Sequence, residues 1–293
     1  MAKKNWVISI LAVAIMFSVP SCNSGPEKAE DPRVIKLVYT DWSESVAITN
    51  LARILLEEHL EYEVILKLTD VESAYREVSK QEADLFLDAW LPLTQKMYFE
   101  KYAESIEKLG VIYPEAHTGL LVPEYSPLKT IPDLATYKHP IAGIDSGAGV
   151  MHKTRAVLKK YKLNNTLLNL SEEEMTQIVS DSVRRRKNVV VTGWEPHWLL
   201  SRYELRFLED PDNIFGEKEK IFAIGSIQLE DKHPRVVRLL ERMQFSEKQF
   251  NNLIYEVRVA NDPLRGAKNW MQKNTYNVNQ WTRNLKPERK KIM

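Results

Sequence analysis

A single cysteine, Cys22, serves the whole chain of 293 residues. No internal disulfide can form, and because that cysteine closes an N-terminal leader, thiol chemistry is excluded from the rest of the chain. An excess of charge of one sign is also missing. Lys and Arg number 41 against 40 Asp and Glu, a formal net of +1, which argues against a protein that wraps nucleic acid. The one basic cluster, Arg184, Arg185, Arg186 and Lys187, reads as a solvated face at a helix end, where cations complement the dipole. The six histidines (His59, His117, His139, His152, His197 and His233) show no zinc spacing. Ser146 has Ile144 where a nucleophile elbow needs glycine. No repeat with a period of about 20 to 50 residues appears, so a solenoid is excluded. With no zinc set, thiol or nucleophile elbow, only Ser146 and Glu195 leave an enzyme reading open, and we expect a protein that is not an enzyme and uses no cofactor.

The apolar run from Trp6 to Val19 follows Lys3 and Lys4 and leads to Pro20, Ser21 and Cys22. It is shorter than the about 20 residues a membrane-spanning helix needs, and it has the form of a signal peptide. A cysteine directly after such a run resembles a bacterial lipoprotein signal, in which Cys22 becomes the lipidated first residue. We therefore expect residues 1–21 to be removed, 22–33 ("NSGPEKAEDPR" follows the cysteine) to act as a tether, and 286–293 to form a basic tail. Loss of Lys3 and Lys4 with no acidic residue moves the net charge from +1 to −1.

Between tether and tail, strand and helix signals alternate. Strands are expected at 34–40, 62–68, 83–90, 141–145 and 188–193, and helices at 45–59, after Asp70, near Pro92, at 148–161, from the capping box Ser171 to Glu174, and from Pro196. Such alternation predicts an α/β fold with parallel sheets covered by helices on both faces. The apolar strands "TGLLVP" and "IFAIGSI" have no partner helix and mark the places where the chain crosses between two lobes. From His233 to Asn284 only helices are expected, with starts at Ser246 and Gln249 and after Pro263.

Three of the seven tryptophans fall at the C-terminal ends of expected parallel strands: Trp42 in "VYTDW", Trp90 in "LFLDAW" and Trp194 in "VVVTGW". This is the edge at which α/β sheets bind ligands. Each alone is an ordinary core or rim aromatic, but three together suggest a cage for a quaternary ammonium group. Such a group cannot donate a hydrogen bond, and aromatic faces hold its diffuse charge at roughly 0.5 to 2 kcal/mol per contact. The turn "GIDSGAGVM" (143–151) lets the backbone approach closely and opens a helix whose free N–H groups suit an anion, though such a turn also serves plain tight packing.

"TDWSES", "LDAWLP", "GIDSGAGVM" and "TGWEPHW" followed by "YELRFLEDP" resemble the substrate-binding proteins of ABC transporters for glycine betaine and related quaternary amines, over nearly all of residues 34 to 285. The resemblance implies a two-lobed periplasmic-binding-protein fold of type II that closes on its ligand. Lobe 1 would comprise 34–118 and 224–285, and lobe 2 residues 119–223. It further implies a cage of Trp42, Trp90 and Trp194, a ligand carboxylate held by the backbone amides of Gly149 and Val150, and delivery to a permease with its ATPase at the membrane that the lipid anchor reaches. Two positions depart from the pattern. Gln95 replaces a carboxylate-donating histidine, and its amide can still donate. Glu195 replaces a small polar residue and could favour a cation without a carboxylate. Trp198 is expected to pack beneath the cage. A choline- or carnitine-type binder, or a ligand-sensing surface lipoprotein outside transport, stays open as an alternative.

If Cys22 carries the anchor, Cys22→Ser will be left unprocessed or be released from the membrane, since buried acyl chains at about 0.8 kcal/mol per CH2 are what hold it there. Detergent phase partitioning checks this, and unchanged partitioning of the variant contradicts it.

Overall fold

Residues 33–285 are described by a computed structural model, so the expectations for the signal, for Cys22, for nearly all of the tether and for the basic tail lie outside the described residues. In chain order the first elements are β1 (Val34–Tyr39), α1 (Ser43–Leu60), β2 (Glu63–Leu68), α2 (Val71–Ser79), β3 (Leu85–Leu91) and α3 (Lys96–Lys101). There follow β4 (Ile106–Pro123), a short 3-10 turn, β5 (Ile141–Ala142), α4 (Gly149–Lys160), β6 (Leu167–Leu168), α5 (Glu172–Arg184), β7 (Val191–Glu195), α6 (Trp198–Arg202), β8 (Leu205–Phe207) and β9 (Glu219–Ser226). Five helices end the described residues: α7 (Leu229–Lys232), α8 (Pro234–Arg242), α9 (Glu247–Val259), α10 (Pro263–Lys273) and α11 (Thr275–Thr282).

Local chemistry explains where these elements start. Asp70 accepts a hydrogen bond from the Ser73 N–H at 2.9 Å and caps α2. Reciprocal capping boxes, Ser171 with Glu174 and Ser246 with Gln249, open α5 and α9, each satisfying amides that have no intrahelical partner. Asp262 caps α10, with Pro263 at the first helical position, where a missing N–H is harmless. Every residue of β3, "LFLDAWL", is buried, as a strand covered on both faces must be.

The strands join in the order β2-β1-β3-β9-β4-β7-β5-β6, with β8 beside β4. β1 lies parallel to β2 and β3, and β5 parallel to β6 and β7. Between these two parallel groups run β4 and β9, both antiparallel to their neighbours. β4 belongs to both groups: up to Ala116 it pairs with β9, and from His117 onward with β7. β9 then returns the chain to a place between β3 and β4. This is the two-lobed α/β arrangement expected from the sequence, with the partner switch of β4 as its crossing. The strand itself starts earlier than its signal at 119–123, because residues 106–118 mix Gly, Pro and charged residues and carry no clean alternation. β6 and β8 are too short to leave a pattern, and the strand expected at 141–145 shrinks to two residues.

The C-terminal helices close on the first group. α9 and α10 pack on α1, and α8 on β4. At Gly110 a Cβ would come within 2.3 Å of the Leu240 carbonyl oxygen, so the α8 backbone lies directly on the strand. Trp270 stacks on Trp281 with centroids 5.9 Å apart, and Phe245 packs against both. No helix among the described residues is long and apolar enough to cross a membrane.

Trp270, only 1% exposed, anchors this cluster away from the lobe crossing. Trp270→Ala should lower unfolding free energy by about 3 to 5 kcal/mol through lost burial and the residual cavity. Denaturant unfolding checks the value, and a loss below about 1 kcal/mol would mean that the C-terminal helices contribute little to the core.

Candidate ligand-binding site

Trp42 stands at the N-cap of α1 just past β1, Trp90 at the end of β3, and Trp194 at the end of β7. All three are nearly buried, at 6%, 3% and 3% exposure. Together they line a small cavity of about 30 Å3 between the two lobes. Glu44, Thr94 and Gln95 join Trp42 and Trp90 on one wall. Ile144, Ala148, Gly149 and Val150 join Trp194 on the other, with Thr118 of β4 between them. The six residues singled out in the sequence, Trp42, Trp90, Trp194, Gly149, Val150 and Gln95, thus meet at one place.

A buried indole N–H needs an acceptor, and each tryptophan finds a carboxyl oxygen. Trp42 Nε1 donates to Asp145 Oδ2 at 3.1 Å, Trp90 Nε1 to Asp88 Oδ1 at 2.8 Å, and Trp194 Nε1 to Glu44 Oε2 at 2.9 Å. With these donors engaged, the three indoles bring no free N–H to the cavity. The first and third of these bonds also span the two lobes.

On the wall that carries Trp194, the N–H groups of Gly149 and Val150 begin α4 and have no preceding turn to donate to. Gln95, 1% exposed, accepts through Oε1 from the Trp90 N–H at 3.2 Å and the Tyr75 hydroxyl at 3.0 Å. Among the described residues no hydrogen bond uses its NH2, so the amide keeps its donor end. Glu219 accepts from the N–H groups of Leu93 and Thr94 at 2.9 Å each and from the Thr94 hydroxyl. Lys153 of α4 donates to Thr94 Oγ1 at 2.9 Å, Thr118 Oγ1 at 3.1 Å and the Phe215 carbonyl at 2.6 Å. This buried network joins α4 to the crossing strands β4 and β9.

The glycine requirement at 149 has a different origin from ligand approach alone. A Cβ there would lie 2.3 Å from the Thr94 carbonyl oxygen, so a larger residue would force α4 away from the first lobe.

Against the tryptophans lies an unusual group of acids: Glu44, at 1% exposure and part of the cavity wall, Asp88 at 0%, and Glu172 at 7%. Burial, then the nearby Asp88 and Glu172 charges, raise the Glu44 carboxyl well above its usual range, against the hydrogen bond from Trp194. Burial pushes Asp88 up to about 8 even though Trp90 donates to it. Glu172 goes the other way. Its burial is outweighed by His197, 3.2 Å away, and by the N–H and hydroxyl of Ser43, which together hold it below the ordinary range. Ser43 opens α1, so a carboxylate from α5 satisfies the start of a helix in the other lobe.

Two sequence expectations need comment. Glu195 does not face the cavity; it lines a separate hollow with His117 and Phe207, so its charge gives no reason to prefer a ligand without a carboxylate. Trp198 also lies off the cavity, stacked on His197 at 5.7 Å, while His197 meets Trp194 edge-on at 4.5 Å. Sequence reasoning missed Glu44, Asp88 and Glu172, although "WSE" and "DAW" place two of them within two residues of a cage tryptophan.

Residues 33–273 match the family described as the substrate binding domain of ABC-type glycine betaine transport system. The chain is similar to the glycine betaine/carnitine transport binding protein of Listeria monocytogenes serotype 1/2a (strain 10403S), with 31% identity over 175 residues, 59% of this chain. That match spans 58% of the relative's length. Among solved structures it is similar to lactococcal OpuAC in its closed-liganded conformation complexed with glycine betaine: TM-score 0.80, 30% identity, covering 86% of this chain and 100% of that one. The glycine/betaine/L-proline-binding protein of Borrelia burgdorferi gives TM-score 0.80 and 27% identity, covering 85% and 96%. A choline binding protein complexed with choline shares the fold at TM-score 0.78 and 23% identity, covering 85% and 91%.

The buried acids give the protein a pH signature. The folded Asp88 holds its proton to about pH 8, whereas its ordinary value is 3.8. Between those limits the folded state binds more protons than the unfolded one, so stability falls as pH rises, by at most about 1.4 kcal/mol per unit for one group. Thermal unfolding of the unliganded protein from about pH 5 to about pH 8 should therefore show a decline that Asp88→Asn flattens. An unchanged slope in the variant contradicts the assignment. Below the ordinary glutamate value of 4.5, the contribution of Glu172 is lost in the opposite sense.

Proposed function

The chain belongs to the family of substrate-binding domains of ABC-type glycine betaine transport systems, and on that footing we propose that it captures glycine betaine or a related quaternary amine outside the cytoplasm and delivers it to an ABC permease. It binds and releases its solute and does not convert it. The solute sits between lobe 1, residues 34–118 and 224–285, and lobe 2, residues 119–223. Cys22 anchors the protein to the membrane by its acyl chains.

One observation carries this reading: three tryptophans and the unused donors of Gly149, Val150 and Gln95 line one small cavity. A trimethylammonium group has no N–H, so water loses little by leaving it and the rings of Trp42, Trp90 and Trp194 attract it. The carboxylate of a betaine points the other way. It meets the Gly149 and Val150 N–H groups at the positive end of the α4 dipole, and the NH2 of Gln95. Since Gln95 Oε1 is already engaged by Trp90 and Tyr75, the donor end is the one available, which favours a ligand with an anionic group.

Closure follows from which residue stands on which lobe. Trp42 and Trp90 come with the first lobe and Trp194 with the second, so the cage is complete only when they meet, and the ligand favours the closed state by touching both. Protein contacts across the cleft support the same state: Trp42 with Asp145, Trp194 with Glu44, Ser43 with Glu172, and Arg258 with Glu173 at 2.7 Å. The last pair is exposed and contributes roughly 0 to 1 kcal/mol, so the buried bonds matter more.

Parallel calorimetric titration with glycine betaine, proline betaine, carnitine and choline tests the function. Trp194→Ala should weaken the bound amine by about 10- to 100-fold, or about 1.4 to 2.8 kcal/mol, with Trp194→Tyr recovering part of the loss. Gln95→Glu, which keeps the acceptor for Trp90 and replaces the donor by a carboxyl, should weaken betaines at least about 10-fold more than choline. Normal binding by Trp194→Ala overturns the cage. Equal losses for betaine and choline in Gln95→Glu overturn the carboxylate end.

A further inference from the structure

We propose that Asp88, one hydrogen bond behind Trp90, and Glu44, which holds Trp194 and itself lines the cavity, supply the counter-charge for the ligand's ammonium and set the preference of the cavity for a permanent cation over an uncharged group of the same shape. The inference rests on the cage reading above and deepens it.

Aromatic faces attract a cation through a fixed quadrupole, and that attraction is the same in any tryptophan cage. Here the indole N–H of Trp90 donates to Asp88 and that of Trp194 to Glu44. An anionic acceptor polarises the donor it holds, so the ring facing the cavity becomes more negative, and the carboxylate adds its own field through a medium of low polarisability. Both acids are buried away from screening water, at 0% and 1% exposure. Asp145, the acceptor behind Trp42, is exposed, so its field is screened and its share is smaller.

The acid group also has a deficit that a cation would fill. Asp88 Oδ2 is buried with no hydrogen-bond partner among the described residues, although the Ser45 hydroxyl beside the carboxyl helps to offset its burial. The groups that face the pair are themselves mostly acidic or neutral. Glu172 acts on both, Asp88 acts on Glu44, and Tyr75 of α2 feels Asp88. His197 faces Glu172 and offsets that one charge. Lys153, the nearby buried cation, lies 3.7 Å from Glu219. Positive charge entering the cage is therefore matched by ionisation beside it: a carboxyl O–H proton leaves for solvent, and the carboxylate that remains acts on the ammonium, Asp88 through the Trp90 ring and Glu44 from the cavity wall. The raised values of Glu44 and Asp88 mean that this proton is present to be released near neutral pH.

The test uses glycine betaine and choline, each beside its tert-butyl isostere in which carbon replaces the ammonium nitrogen. Asp88→Asn and Glu44→Gln keep an oxygen to accept the indole N–H and remove the charge. Each should lower affinity for the quaternary ligands on the order of tenfold, leave the isosteres within about twofold, and exceed the effect of Asp145→Asn. In the unaltered protein, affinity for the quaternary ligand should rise from about pH 6 to about pH 9 while that for the isostere stays level. Calorimetry in buffers of different ionisation enthalpy should show proton release on binding the quaternary ligand. Because this arm needs no variant, it stands even if a substitution unfolds the protein. Equal losses for ligand and isostere would reduce the acids to holding the rings in place, and the absence of both charge discrimination and proton release would overturn the inference outright. If the unaltered protein binds neither quaternary ligand, it is the cage reading that fails.

Discussion

Each tryptophan at the cavity commits its single donor to a carboxyl oxygen behind it, and much of the structure follows from those three bonds. A ring held by its edge cannot turn that edge to a ligand, so only its face is offered. Two of the bonds join residues more than 100 positions apart on opposite lobes, so the contacts that shape the cavity also hold the lobes together. A hydrogen bond contributes about 0.5 to 1.5 kcal/mol to a neutral acceptor and about 1.5 to 3 kcal/mol to a charged one, whereas an exposed ion pair across the cleft contributes about 0 to 1 kcal/mol.

The acids that make these bonds impose a cost of their own. Glu44, Asp88 and Glu172 share one buried region, and only Glu172 has a histidine partner to keep it ionised. A fold selected for stability alone would replace such a group with apolar side chains, which is often neutral or stabilising. Its place directly behind an aromatic cavity ties the cost to binding. The network of Lys153, Glu219, Thr94 and Thr118 differs in kind, since it unites α4 with the two crossing strands and is nearly self-compensated. One polar cluster is open to a ligand's charge and the other serves the crossing.

The sequence made the meeting of the three cavity tryptophans legible because each ends an apolar strand, where a large aromatic has no packing reason to recur three times. Gly149 and Val150 were legible through the glycine-rich turn, and Gln95 only through the family pattern. The helix starts at Asp70, Ser171, Ser246 and Asp262 follow from cap chemistry within four residues. What escaped was non-local. The first part of β4 takes its strand form from β9, more than a hundred residues later, and Glu172 gains its role from Ser43, 129 positions away. Glu195 misled for the same reason, since its neighbours in the chain are cage residues while its side chain points to another hollow.

The central claim is that a quaternary ammonium group sits among Trp42, Trp90 and Trp194 with any carboxylate at the start of α4. A crystal structure of the protein grown with glycine betaine tests it most directly. The account predicts the ammonium nitrogen within about 6 Å of all three ring centroids and the carboxylate accepting hydrogen bonds from the Gly149 and Val150 N–H groups. Glycine betaine bound elsewhere, or with its carboxylate turned toward the tryptophans, would contradict it.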